Sequence, residues 1–480
     1  MKHLAAPKLY ALAFGLFLGL CLWKFGNPVI LDHKISAPVT PSEFFNDPWP
    51  PHWINWMLLP LAGLGALLAR RRWGRAPGEP PSTKNHTASR GRSLRHKWLW
   101  WLPLAWLGWQ FVSATQTVDA DLTTATLWQF SGCVACYFLG ALVFARENLW
   151  RWLLPGLLAA FAFCLVRGID QRVFEFPQNY QMLVEGEHAG WTNFPPEAVT
   201  QMKLDNIIVL TNGVEMTNPA MLEKFKKGRV SGTLVYPNAL AGIILLLWPL
   251  ALALAFGKTK NLKSSIRLSV ISLTIFLGGA AFYWSGSKLG WLIGLAMAGL
   301  FLARLDWPKK LKLITISLAF IAGLGIFALR FHSYFAAGAT SVGARFDYWR
   351  AAGQTAAAKP VFGSGPGTFQ RPYAKIKSPD SEMARLAHND YLEQFSDSGL
   401  AGGLAYMAWI ILALLVVGKN LWRDNHNIIS FAILAGLIGW YAQSFGEFGL
   451  YIPALAWTAF TLLGCLIGQE IIKIDKKRLV

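Results

Sequence analysis

The feature that most constrains this chain is a series of apolar runs, each roughly 16 to 22 residues long, about the helix length that a hydrocarbon core of about 30 Å requires. About twelve such runs lie near 8–23, 53–69, 98–113, 124–145, 149–166, 236–257, 268–284, 289–303, 313–329, 399–418, 428–445 and 450–468. With 54% hydrophobic and only 15% charged residues over 480 positions, the chain is more apolar than a soluble core can absorb. The expected fold is all-α, a polytopic transmembrane helical bundle of about 12 spans.

Charge gives that bundle an orientation, because Lys and Arg are retained on the cytoplasmic side. With the N-terminus inside and all twelve runs spanning, the inner side holds 27 of the 45 Lys and Arg but only 6 of the 26 Asp and Glu. The outer side is left with 18 basic and 20 acidic residues. Both termini are then cytoplasmic. The net charge of +19 sits where this rule puts it, so it points to membrane lipids and not to nucleic acid. Its densest part, RRRWGRAPGEPPSTKNHTASRGRSLRHK at 70–97, reads as a disordered cytoplasmic loop touching anionic headgroups.

All five cysteines, Cys21, Cys133, Cys136, Cys164 and Cys465, fall inside predicted spans, which argues against a disulfide framework and leaves Cys133 and Cys136 a CxxC in spelling alone. The first run lacks a small-residue cleavage site after it and reads as a membrane anchor. The organisation expected is N-terminal spans over 1–166, a first large outer loop over 167–235, central spans over 236–329, a second outer loop over 330–398, and C-terminal spans with a basic tail over 399–480.

Outer loops this long are usually functional or disordered. The first carries FEFPQNYQMLVEG and DNIIVLTNGVEM, which suggest a short strand-like hairpin, and ends in KKGRVSGTLVYPNALAG at the membrane. In the second, ARFDYWRAAGQTAAAK has helical composition, sets Arg345 and Trp349 one turn apart and is stopped by Pro360. FGSGPGTF follows, a turn whose glycines can take positive φ and expose backbone N–H groups. LAHNDYLEQF then leads into the next span. His388, beside Asn389 and Asp390 and close to the membrane, has the chemistry of a general base near neutral pH. It is equally readable as a loop histidine that only caps or packs.

Taken in order, GARFDYW, PVFGSGPGTF and AHNDYLEQFSDSGLAGG, together with the upstream RVSGTLVYPNALAG and SGSKLGWL, resemble the O-antigen ligase and polymerase superfamily over roughly 229–420. The resemblance implies a glycosyltransferase acting on undecaprenyl-diphosphate-linked glycans in the bacterial inner membrane, with its site under the 330–398 periplasmic loop. It makes His388 the base and associates Arg345 with donor binding. A basic residue following the S-x-S turn is implied too, and here Lys288 stands where the family usually has Arg. A diphosphate brings about two negative charges to the outer surface, and Arg229, Lys288, Arg345 and Arg350 are cations suited to it; each is also readable as a side chain snorkelling to headgroups. Tyr236 and Asn238 could orient a sugar or the diphosphate, Asn238 alternatively capping a helix. Asn389 belongs to the HN motif, and Asp390 and Glu393 could hold the His388 ring or act as base themselves. The outer loops lack HExxH, DxD and Cys/His clusters, so no metal or cofactor is expected. The expected acceptor is a lipid A core sugar, as for a ligase. A second lipid-linked glycan (polymerase) and a protein hydroxyl (protein O-glycosyltransferase) are the alternatives, and a lipid-linked sugar transporter is the rival of another class.

Overall fold

The computed structural model describes residues 6–73, 98–211, 213–379, 381–422, 424 and 427–477. The helices, in chain order, are α1 (Ala6–Lys24), α2 (Pro41–Asn46), α3 (Trp53–Trp73), α4 (Trp98–Ala114), α5 (Ala120–Leu139), α6 (Trp150–Asp170), α7 (Phe176–His188), α8 (Pro196–Leu204), α9 (Pro219–Lys227), α10 (Pro237–Lys258), α11 (Ser264–Ser285), α12 (Lys288–Arg304), α13 (Lys309–Ala336), α14 (Thr340–Ala358), α15 (Gln370–Ile376), α16 (Asp390–Leu421), α17 (Ile428–Gln443) and α18 (Pro453–Lys477). Between α8 and α9 stands an antiparallel hairpin of β1 (Ile208–Thr211) and β2 (Val214–Thr217).

Every apolar run of the sequence falls on a helix. Among the described residues nine helices are long and apolar enough to cross a membrane, while α4, α12 and α17, at 17, 17 and 16 residues, are shorter. The fold is an all-α polytopic bundle. Most of the basic stretch expected at 70–97, from residue 74 onward, lies outside the described residues.

Helices in a membrane gain little from apolar burial against one another and associate through close backbone approach instead. Here α1 and α6 meet through Gly15, Gly19 and Gly156; a Cβ on Gly15 would stand 2.2 Å from the Leu153 carbonyl oxygen. At the centre, α18 is buried along most of its length, with Trp457, Phe460 and Leu463 fully enclosed. At the periphery α13 shows the opposite pattern: Leu313, Ile321 and Leu329 are 68%, 69% and 83% exposed. An apolar helix left bare on a finished bundle is what a lipid-facing span looks like.

Two features depart from the expected boundaries. The sixth helix does not stop at the membrane edge but runs through a π turn at Gln171–Glu175 into α7. FEFPQNYQMLVEG is therefore helical and not part of a hairpin, which is confined to β1 and β2. Its Leu183 packs with Trp191 and Ile208 into a small core of the outer lobe, a contact that favours helical spacing. The tenth run likewise begins earlier than expected. Helix α16 starts at Asp390 and breaks at Gly399 (φ 68°, ψ −170°), giving a short outer segment before the span. A side chain at Gly399 would collide with the Val361 carbonyl oxygen at 2.2 Å, so only glycine fits this bend.

Candidate functional site

Helix α14 forms where the alanine-rich stretch predicts it and ends at Ala358, two residues before Pro360. Its first turns point Arg345 at the connection between α17 and α18. There the guanidinium donates to Glu447 Oε1 at 2.7 Å, to the Gly446 carbonyl at 3.1 Å and, within its own helix, to the Ser341 carbonyl at 3.1 Å. Glu447, 4% exposed, is the centre of the arrangement. Tyr236 Oη donates to its Oε2 at 2.8 Å and Asn238 Nδ2 to its Oε1 at 2.7 Å. His388 Nδ1 lies 3.6 Å from Oε2. Burial by itself would raise the Glu447 carboxyl; the nearby His388 ring, then Arg345 and Tyr236, overcome it and hold the group below its ordinary value.

His388 adopts φ 50°, a left-handed backbone uncommon for a non-glycine residue. Glu393 and Asn389 fix the chain on either side of it. Glu393 Oε2 accepts from the Ala387 N–H at 2.9 Å, and Asn389 Oδ1 caps α16 by accepting from the Tyr391 and Leu392 N–H groups. Tyr348 stacks beside the imidazole at 5.8 Å and Phe448 meets it edge-on at 4.7 Å. With Nδ1 turned toward a carboxylate, the proton is favoured on Nδ1 and Nε2 is left as a base.

The cations converge from three other elements. Arg229 donates from Nε to the Ser285 carbonyl and from Nη2 to Asn238 Oδ1, both at 2.8 Å. Its segment is pinned by Gln171, whose Oε1 accepts from the Ser231 and Gly232 N–H groups at 3.0 and 2.9 Å. Burial draws the Arg229 guanidinium below its ordinary value, Glu447 opposing and Arg345 adding to the effect. Lys288 is the first residue of α12, behind the Ser287 cap, and its ammonium rests 3.6 Å from the centre of the Tyr334 ring. The charges it feels are Arg229, Arg345, Lys227 and Arg330. Among the described residues no carboxylate pairs with Arg229 or Lys288. Each guanidinium carries five N–H donors and each ammonium three. Much of that donor capacity is unspent, and one glutamate faces several cations.

The structure thus sets His388, Arg345, Tyr236 and Asn238 directly on one carboxylate, with Arg229 joined to it through Asn238, which does not serve as a cap, and Lys288 near enough to feel Arg229 and Arg345. It does not bring the other expected residues to the same place. Arg350, its side chain 56% exposed, pairs with Asp347 on the outer side of α14. Asp390 and Glu393 are fully buried and bind backbone. Asp390 accepts from the Leu450 N–H at 3.1 Å, while its own N–H donates to the Ser444 carbonyl, so it brackets the turn that carries Glu447. The carboxylate that faces the His388 ring is Glu447. It stands alone in a short outer connection of otherwise apolar and small residues, SFGEFGLY, and that isolation is the one signal the sequence offered.

The glycine-rich turn also differs from expectation. Gly363, Gly365 and Gly367 do take positive φ. Their N–H groups point inward: Gly367 donates to Asp397 Oδ2 at 2.7 Å and Gly365 to the Asp397 carbonyl at 2.8 Å. The turn clamps the bend at Gly399 and exposes no anion cradle. Among the described residues no three His, Cys, Asp or Glu side chains lie together as a metal ion would need.

Comparison with known proteins bears on this arrangement. An uncharacterized protein of Haemophilus influenzae is 33% identical over 94 residues, which is 18% of this chain and 23% of that protein. The alignment thus spans under a quarter of that relative's length. Residues 273–407 match the family model described as O-antigen ligase, a segment running from α11 into α16 and holding Lys288, Arg345 and His388 but not Arg229 or Glu447. Through that segment the protein carries an O-antigen ligase family domain within a chain of multiple apolar, membrane-length helices.

Proposed function

We propose that the protein transfers a glycan from an undecaprenyl-diphosphate carrier to an acceptor hydroxyl at the periplasmic face of the inner membrane, both termini being cytoplasmic. The observation that carries this reading is the placement of His388, backed by Glu447, near cations that keep donors unspent. In a single displacement, His388 Nε2 takes the acceptor hydroxyl proton as the oxygen bonds to the anomeric carbon. The bond from that carbon to the diphosphate oxygen breaks, and its electron pair leaves with the diphosphate. Glu447 steadies the imidazolium that forms. Arg345, Arg229 and Lys288 hold the departing charge in a site shielded from water, where such contacts are strongest.

The carrier's lipid also has room. An apolar cavity of about 850 Å³ lies between α10, α11 and α12, lined by Ile244, Trp248, Phe282 and Met297 among others. Along α10 it begins six residues below Asn238, roughly 9 Å at about 1.5 Å per residue. This supports a carrier with its diphosphate at the cations and its chain descending beside α10. A lipid A core sugar is the acceptor we favour, on the likeness of the HN motif and single late loop to ligases. The deciding experiment is the lipid profile of a deletion strain. Carrier-linked polymer fits a ligase, single carrier-linked repeats a polymerase, and an unchanged profile overturns both.

A further inference from the structure

A second cavity touches the site at His388. It measures about 260 Å³ and is lined by Pro28, Ile30 and Leu31 of the N-terminal outer segment, by Tyr348 and Phe448, by the 382–386 stretch, and by His388. None of Arg229, Lys288 or Arg345 lines it. His388 is the catalytic group that this space and the carboxylate cluster share.

We infer that this cavity is the acceptor subsite and that it takes a saccharide ring, an inference that rests on the transferase reading given above. Three observations carry it. The space lies below the ~300–1,000 Å³ of a typical small-molecule pocket, which suits one or two sugar rings and not a folded polypeptide. Its walls combine the flat faces of Tyr348 and Phe448 with the charged groups Glu382 and Arg385, and a sugar offers the matching pair of surfaces, an apolar C–H face and a rim of hydroxyls. Arg385 makes no hydrogen bond or ion pair among the described residues, so its planar fork is open to two oxygens. A hydroxyl of a ring seated here is presented to His388, while the residues assigned to the diphosphate, Arg229, Lys288 and Arg345, lie outside the cavity lining.

The inference has a second part. Pro28, Ile30 and Leu31 lie far outside the matched segment 273–407. Residues 28–31 are held against the bundle by their burial, Ile30 being 2% exposed. Acceptor preference is therefore set by a stretch of chain that the family domain does not contain.

The test uses the full-length protein purified in detergent, with methyl glycosides of glucose, galactose and N-acetylglucosamine as probes read by saturation-transfer NMR. Consumption of a synthetic polyprenyl-diphosphate trisaccharide is followed separately. At least one glycoside should receive saturation from the native protein. Leu31→Trp and Met383→Trp, which fill the cavity from two different lining segments, should each weaken that binding by about tenfold, the loss of one well-packed ring contact. Carrier binding should be unchanged in both. No signal from any glycoside, signals indifferent to both tryptophans, or binding of a serine-containing peptide in their place would each overturn the subsite. A native protein that binds a glycoside but leaves the trisaccharide donor intact supports the cavity and overturns the transferase reading.

Discussion

The buried carboxylates of the first turns of α16 and the buried Glu447 in the connection after α17 are satisfied in opposite ways. Glu447 is surrounded by side chains from α10, α14 and the His388 loop: a guanidinium, an imidazole, a phenol and an amide. Asp390, Glu393 and Asp397 are met mainly by backbone N–H groups, of Leu450, Ala387 and Gly367, with the Tyr451 hydroxyl also reaching Asp397. Backbone amides bind a carboxylate firmly but cannot take up or release a proton, and they tie it to the chain's course. Side-chain partners leave the group chemically coupled to its surroundings. Acids in an outer loop thus divide by the nature of their partners, and only the first kind reads as part of a reaction centre.

The largest effect should come from the residue that Glu447 serves. His388→Ala should cut transfer by about 10² to 10⁴-fold at equal membrane abundance, measured with a synthetic lipid-diphosphate donor. Near-native transfer would remove the base from the mechanism. Next comes the contrast itself. Glu447→Gln should lower transfer by about 10²-fold, because an amide cannot stabilise an imidazolium. Glu393→Gln should instead lower thermal stability by about 1–3 kcal/mol, through a disturbed amide contact in a buried site, with transfer per folded molecule nearly kept. Equal effects of the two changes on both readouts would erase the distinction.

Acid titration sharpens the same contrast. Glu447 is held below its ordinary 4.5 in the folded protein, so its contribution to stability is complete above that value and is lost as pH falls through the lower folded one. Thermal scans of the native protein and Glu447→Gln should therefore differ at neutral pH and converge below pH 4.5. A gap that persists in acid would mean that packing, not charge, explains the variant. The smaller effects concern Lys288. Lys288→Met should reduce transfer by about tenfold or more while keeping the apolar stem, whereas Lys288→Arg should stay within about twofold of native, since the fork supplies the charge and a second contact. An active methionine variant would leave Lys288 a snorkelling residue resting on Tyr334.

How much of this could be read from the sequence follows from what each feature depends on. Helix positions were legible because length and apolarity are local properties, and Pro360 ended α14 as expected. Glu447 was not legible: the residues that meet it stand 102 and 209 positions away, and no periodicity encodes such a distance. Asp390 and Glu393 sit next to the histidine in spelling, yet α16 begins at Asp390, earlier than the apolar run, and turns them into the interior. The glycine turn showed its backbone freedom in its composition but not its direction, which Asp397 decides from 30 residues downstream. The strand reading of FEFPQNYQMLVEG failed because its apolar residues pack on a lobe assembled from chain beyond it.

The uninterrupted helix from Trp150 to His188, 39 residues, acts as a drive shaft of roughly 58 Å between the membrane and the outer lobe. On such a shaft the π turn at Gln171–Glu175 sets phase. Removing one residue there would restore ordinary helix and shift both the phase and the reach of everything beyond it relative to the span. Gln171, which pins the Arg229 segment, is the first residue of that turn. The angular setting of one irregular helical turn therefore decides which way a cation of the site faces, although it lies more than fifty positions earlier in the chain.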